Sequence, residues 1–211
     1  MSCINVVGTA LNELYRIFDI LNEKYYEGKL SPPVITLQKA RSNNLGHFTL
    51  GKVWRQKEHD EDENLARYEI NLNPLYLNAP VEQIVGTLQH EMVHYANAFY
   101  GVKDCNGNVH NKKFKALAEE VGLIVEKGKS VGWGFTEPDD TLLKFIRDTI
   151  MPDEKAFDYF RGGDREEEKP PKNKTSFKYT CPGCDLVVRA KRDKRIVCGT
   201  CGCELEMEED E

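Results

Sequence analysis

The stretch 81-VEQIVGTLQHEMVHYANAFYG-101 sets Val81, Ile84, Val85, Leu88, Met92, Ala96 and Phe99 on one stripe at helical spacing, with Pro80 before it and Gly101 after it. Inside this expected helix lies His90-Glu91-Met92-Val93-His94. Residues four apart stand one turn above each other, so the two imidazoles can converge on one cation. Glu91 is turned about 100° from His90 by a pitch of ~3.6 residues per turn, which takes it out of the ligand pair but leaves it near a water held there. The histidines point away from the Val85, Leu88 and Met92 stripe, which argues against a packing role.

A catalytic zinc takes three protein ligands and keeps one position open, so a third donor is needed. His110 follows His94 after fifteen intervening residues that include the turn-forming CNGN, and it opens a second expected helix, His110 to Val121, that ends at Gly122. Spacing favours His110 over Glu119 and Glu120, which a solvated helix end explains equally well, and over His47 and His59. Tyr95 and Tyr100 are candidate donors to a developing oxyanion.

Upstream, residues 9 to 27 carry Leu11, Leu14, Ile17, Phe18 and Leu21 at helical spacing, with Gly28 as a stop. PPVITLQKA, LGHFTLGKVW and RYEINLNPLYL are β-rich and separated by turn signals or by the charged run RQKEHDEDEN, predicting a small antiparallel sheet. Downstream, SVGWGFTEP reads as loop, TLLKFIRDTI as a short helix and RGGDREEEKPPKNKT as linker. The fold class is therefore α+β, with a first domain over 1–165, a linker over 166–176, a cysteine module over 177–207 and an acidic tail over 208–211.

A formal charge of −6 over 211 residues argues against a chain that binds polyanions over its whole surface. The first residues alternate polar and apolar without a cationic lead or a cleavage site, so neither secretion nor a membrane is expected and the compartment is read as cytoplasmic. In a reducing compartment the paired C-x-x-C units point to metal rather than disulfides. Cys181, Cys184, Cys198 and Cys201, with thirteen residues between the pairs, can supply four thiolates to a closed structural zinc site. Cys203 is a neighbour able to replace Cys201, while Cys3 and Cys105 read as free thiols. From Ser176 to Cys203 six Lys/Arg (Lys178, Arg189, Lys191, Arg192, Lys194, Arg195) face two Asp, a local +4. With Phe177 and Tyr179 they form a candidate platform for phosphates and stacked bases, against the plainer reading of a solvated hairpin tip.

HEMVHYANAFYG, the later VHNKKFK, the YYEGKLSPPVITL opening, and YTCPGC with CGTCGCEL together resemble the SprT-like zinc metalloproteases, the family of Spartan. The resemblance runs from about Leu11 to Leu205, with residues 126–165 read as an extension beyond a minimal member. It implies a zincin-like protease domain and a zinc ribbon, with His90, His94 and His110 as ligands of a catalytic zinc and Glu91 as the acid-base. It further implies a protein substrate, a nuclear compartment in a eukaryote and a link to DNA, single-stranded or crosslinked to protein. The expected activity is peptide hydrolysis by a zinc-activated water; the alternative is a nucleic-acid or protein binding module on an inactive protease-like scaffold, or a peptidase of narrower scope.

Overall fold

A computed structural model describes residues 5–39, 44–162 and 177–207. Contacts divide the chain into two units, Met1–Gly163 and Asp164–Glu211. The expected linker at 166–176 and tail at 208–211 lie outside the described residues, as does Cys3.

The first unit opens with α1 (Val6–Tyr26), capped by the Asn5 side chain, which accepts the Gly8 N–H at 2.9 Å. The helix ends where Glu27 and Gly28 turn left-handed. Buried Asn22 then exchanges two hydrogen bonds with the Leu30 backbone, fixing the chain's exit towards the sheet.

Strands β1 (Val34–Leu37), β2 (Gly46–Trp54) and β3 (Arg67–Leu72) form a sheet in the order β1-β3-β2. The expectation of an antiparallel sheet is corrected: β2 runs antiparallel to β3, but β1 runs parallel to it, with Ile35 beside Ile70. The physical reason lies at Asn71, whose Oδ1 accepts from the Gln38 N–H at 2.7 Å and the Thr36 hydroxyl at 3.0 Å while its Nδ2 donates to the Gln38 carbonyl. That amide clamps the end of β1 to β3, and β2 becomes an edge strand.

Helix α2 (Val81–Phe99) packs against this sheet. It is enclosed more fully than its apolar stripe predicts: Val85, Leu88, Met92 and Ala96 are buried, but so are Gln89, Glu91, Tyr95 and Asn97, while Phe99 is exposed. A short hairpin of β4 (Cys105–Asn106) and β5 (Val109–His110) leads into α3 (Lys112–Glu120). His110 is thus a strand residue and not the first of a helix; Asn111 caps α3 by accepting from the Lys113 and Phe114 N–H groups.

β6 (Leu123–Gly128) and β7 (Gly132–Pro138) follow, then α4 (Asp140–Phe145), whose last turn widens over Ile146–Ile150. SVGWGFTEP is therefore mostly strand; β7 pairs antiparallel with β6 and touches β5 in parallel at His110 and Gly132. One core joins these elements through Leu14, Ile17, Phe18 and Leu21 of α1, Ile70, Leu88, Met92, Phe114, Leu123 and Leu142. Full burial of each such side chain contributes roughly 1.5–3 kcal/mol before entropy is counted.

In the second unit β8 (Phe177–Thr180) lies between β9 (Val187–Ala190) and β10 (Glu206–Met207), both antiparallel to it. Its buried cluster is small: Tyr179, Cys181, Cys198 and Leu205. Among the described residues no helix is long and apolar enough to cross a membrane.

Candidate metal centres

Two elements bring the histidines together. His90 and His94 stand one turn apart on α2, and β5 delivers His110, whose Nε2 comes to 3.0 Å from the His94 Nε2. The donor atoms of all three lie within 4.8 Å of one another. Phe114 of α3, fully buried, lies beneath the group with its ring centre 4.5–4.8 Å from each imidazole.

Each imidazole is gripped at its other nitrogen. His90 Nδ1 meets the Thr136 hydroxyl at 2.8 Å, His94 Nδ1 meets Asp104 Oδ2 at 2.7 Å, and His110 Nδ1 meets the Val131 carbonyl at 2.9 Å. A carboxylate and a carbonyl only accept, so His94 and His110 carry their protons on Nδ1. Their Nε2 lone pairs then face each other at 3.0 Å with no proton between them. Two acceptors so close repel unless a cation lies between, and three nitrogens at ~2.0–2.1 Å from a tetrahedral zinc would be roughly 3.3 Å apart. The donor set fits the metal.

Electrostatics act the same way. Burial, with His94 and His110 adjacent, pushes His90 well below its ordinary value, and burial also lowers His110. Both stay neutral at neutral pH, the form a metal binds. Glu91, 5% exposed, is raised to about 7 by burial, against the opposing pull of His94 and of the Phe48 backbone N–H. Among the described residues β2 pairs only with β3, so the Phe48 N–H that reaches Glu91 turns the other edge of that strand to the carboxylate. Gly46 on the same strand leaves the space, since a Cβ there would stand 2.7 Å from Glu91 Oε1.

The other candidates lie elsewhere. Glu119 and Glu120 are exposed at the end of α3, with Glu119 paired to Lys115 at 3.4 Å; His47 and His59 are exposed. Tyr95 is committed to packing: its hydroxyl donates to the Ser31 carbonyl at 2.7 Å and its ring stacks on Phe48 and Phe18. Tyr100 is exposed just past α2. Cys105 is a free thiol beside Asp104, raised to about 12 by burial and by that carboxylate.

Sequence reasoning passed over Asp104, Val131, Thr136, Gly134 and the Phe48 N–H. Gly134 had a readable signal: the GWG of a supposed loop makes room for a ligand, because a Cβ at 134 would meet His110 Nδ1 at 2.6 Å.

In the second unit the donor atoms of Cys181, Cys184, Cys198 and Cys201 lie within 4.8 Å of one another, with Cys184 and Cys198 sulfurs 3.6 Å apart. Two similar knuckles present them, each followed by a left-handed residue, Asp185 and Gly202. Cys203 stays outside the group and turns its thiol to the Cys201 carbonyl. Tyr179 is no stacking surface: it is buried, donating to the Lys191 carbonyl and accepting from the Lys194 N–H. Phe177 is half-buried with the Arg192 guanidinium 5.4 Å from its ring centre, and Arg195 meets Glu204 at 3.3 Å. Lys178 and Arg189 sit opposite each other on β8 and β9, and Lys191 and Lys194 follow β9.

No curated protein and no solved structure matches the chain. The model of the SprT-like family matches residues 14–131, a segment that takes in the later part of α1, the first sheet, α2 and all three histidines. Since that match covers more than half of the 211 residues, the chain belongs to the SprT-like family and carries a metalloprotease-like domain.

Proposed function

We propose that this chain is a zinc-dependent endopeptidase with a zincin-like protease domain over residues 1–165, a linker over 166–176 and a structural zinc ribbon over 177–207. The observation that carries the reading is the pair of Nε2 lone pairs of His94 and His110 facing each other at 3.0 Å, with His90 completing the donor group. Bound there, zinc would supply a Lewis acid and draw the pKa of a water towards about 7.

The chain's own residues do the rest. Glu91 has the right neighbours for proton transfer: at about 7 its carboxyl can both accept a proton from water and return one to a departing amine. The Phe48 N–H holds it in place. Thr136, Asp104 and Val131 hold the three imidazoles with their Nε2 atoms inward. The polypeptide substrate would lie along the unpaired edge of β2, which passes Glu91.

Cys181, Cys184, Cys198 and Cys201 would hold the second zinc. Lys178, Arg189, Lys191, Arg192, Lys194 and Arg195 would give the ribbon affinity for nucleic-acid phosphates, directing the protease to DNA-associated proteins. Without a free Tyr179 ring that contact is electrostatic and salt-sensitive.

Glu91→Gln is the test. Zinc content should stay at two per chain while peptide cleavage drops about 10²- to 10⁴-fold. Cleavage at the wild-type rate would remove Glu91 from the mechanism, and no cleavage by the wild type on any polypeptide, with or without single-stranded DNA, would leave the inactive scaffold.

A further inference from the structure

The three imidazoles are not held equally. His90 leans on a hydroxyl and His110 on a backbone carbonyl, both neutral; His94 alone leans on a carboxylate. Asp104 is itself fixed at several points. Its Oδ2 also lies 3.3 Å from the Asn97 Nδ2, one turn beyond His94 on the buried side of α2. The Cys105 thiol donates to the same side chain. Its backbone carbonyl accepts the N–H of Asn111 at 2.8 Å, and Asn111 caps α3 directly after His110. One short hairpin therefore delivers a metal donor at one end and the partner of another donor at the other.

We propose that Asp104 is the positioning residue of the metal centre: it locks His94 in the Nδ1–H tautomer and aims its Nε2 inward. This rests on the reading of the three histidines as metal ligands. Asp104 acts through His94, and its carboxylate accounts for more of the metal affinity than the neutral partners Thr136 and Val131.

Cobalt and zinc uptake by the full chain test this. Cobalt in the four-thiolate centre shows sulfur-to-cobalt charge transfer, which a histidine centre lacks, so the two are read separately. Asp104→Asn should weaken zinc at the histidine centre about 10- to 100-fold in chelator competition and alter the cobalt d–d bands there. Its metal-free melting temperature should match the wild type. Thr136→Val should weaken zinc less than Asp104→Asn does.

Asp104→Asn binding zinc within about twofold of wild type would overturn the role, as would a larger loss in Thr136→Val. Should Asp104→Asn not fold, the zinc-loaded wild type decides by ¹⁵N-histidine NMR. The Nδ1 proton of His94 should be the furthest downfield of the three, and any other order refutes the proposal. A wild type that takes up no metal outside the thiolate centre defeats the metal reading itself, and a His94→Ala control shows which centre was lost.

Discussion

The three-histidine centre and the four-cysteine centre both gather metal donors, yet they stand in opposite relations to their surroundings. Two of the histidines sit on a helix and the third on a strand, against a core that runs from Ala10 to Phe157, with Nδ1 of each ring already held. Two of the four cysteines, Cys181 and Cys198, are half of their own core, sharing it with Tyr179 and Leu205. One site is built by the fold; the other has too little apolar surface to fold on that alone. Protonation tells the two apart as well. Cys198 is held down to about 6 by the backbone N–H groups of Cys201 and Thr200, while Cys201 is pushed up to about 12 by its hydrogen bond with Cys184, by burial and by Cys198. Four sulfurs this close cannot all be thiolates until a cation joins them.

The largest expected effect follows from that contrast. Removing metal with a strong chelator at neutral pH should collapse the ribbon, because a structural zinc supplies roughly 10–16 kcal/mol of folding free energy in small zinc domains. Amide NMR resonances of 177–207 should lose dispersion while those of the first unit keep theirs. Cys181→Ser, which removes a fully buried donor, should do the same with zinc present. Ribbon resonances that stay dispersed in chelator would erase the distinction between the two centres.

A second effect, smaller, strikes the other side of the comparison. Phe114 touches all three imidazoles and is fully buried, so the histidine centre rests on packing. Phe114→Ala should cost about 3–5 kcal/mol. Thermal or urea melts of the metal-free chain should show the loss, because it belongs to the scaffold; a loss seen only with zinc present would mean that the ring serves the ion and not the fold.

Local pattern explains what the sequence revealed. Helix α2, the His90/Glu91/His94 spacing and the paired C-x-x-C units are short-range signals that a helical or knuckle period writes directly into the chain. The first helix was legible for the same reason, within three residues at its start. Long-range pairing was not. Nothing within β1 says that it lies parallel to β3, because the Asn71 clamp joins residues more than thirty positions apart. His110 was placed as a donor but on the wrong kind of element, since Asn111 looks like an ordinary polar residue until its side chain is seen capping α3. Thr136 and Val131 were hidden in a stretch whose glycines read as loop, although Gly134 admits the His110 ring and Gly132, at positive φ, lies against the His110 backbone.

The smallest effect sharpens the claim that the first unit holds itself together without metal. Glu13 on α1 is nearly buried; it accepts two hydrogen bonds from Arg16 at 2.7 and 2.9 Å and one from the Asp153 N–H at 2.8 Å. Arg16 also donates to the Ile150 carbonyl at 2.9 Å, so the pair ties α1 to the segment after α4. The Arg16 hydrogen bond leads in holding Glu13 below the ordinary carboxylate range, burial opposing it and the Asp153 N–H assisting. A carboxyl depressed in the folded state stabilises in full above its unfolded value of roughly 4.3 and loses that contribution as pH falls through the lower folded value. Arg16 is 43% exposed, so solvent screening limits the effect, and Arg16→Ala should cost only about 1 kcal/mol at pH 7. The gap between variant and wild type should then close as metal-free samples are melted at successively lower pH below about 4. A gap that stays constant to pH 2 would mean that Arg16 contributes through its aliphatic stem and carbonyl bonds alone, and that α1 is anchored by packing rather than by charge.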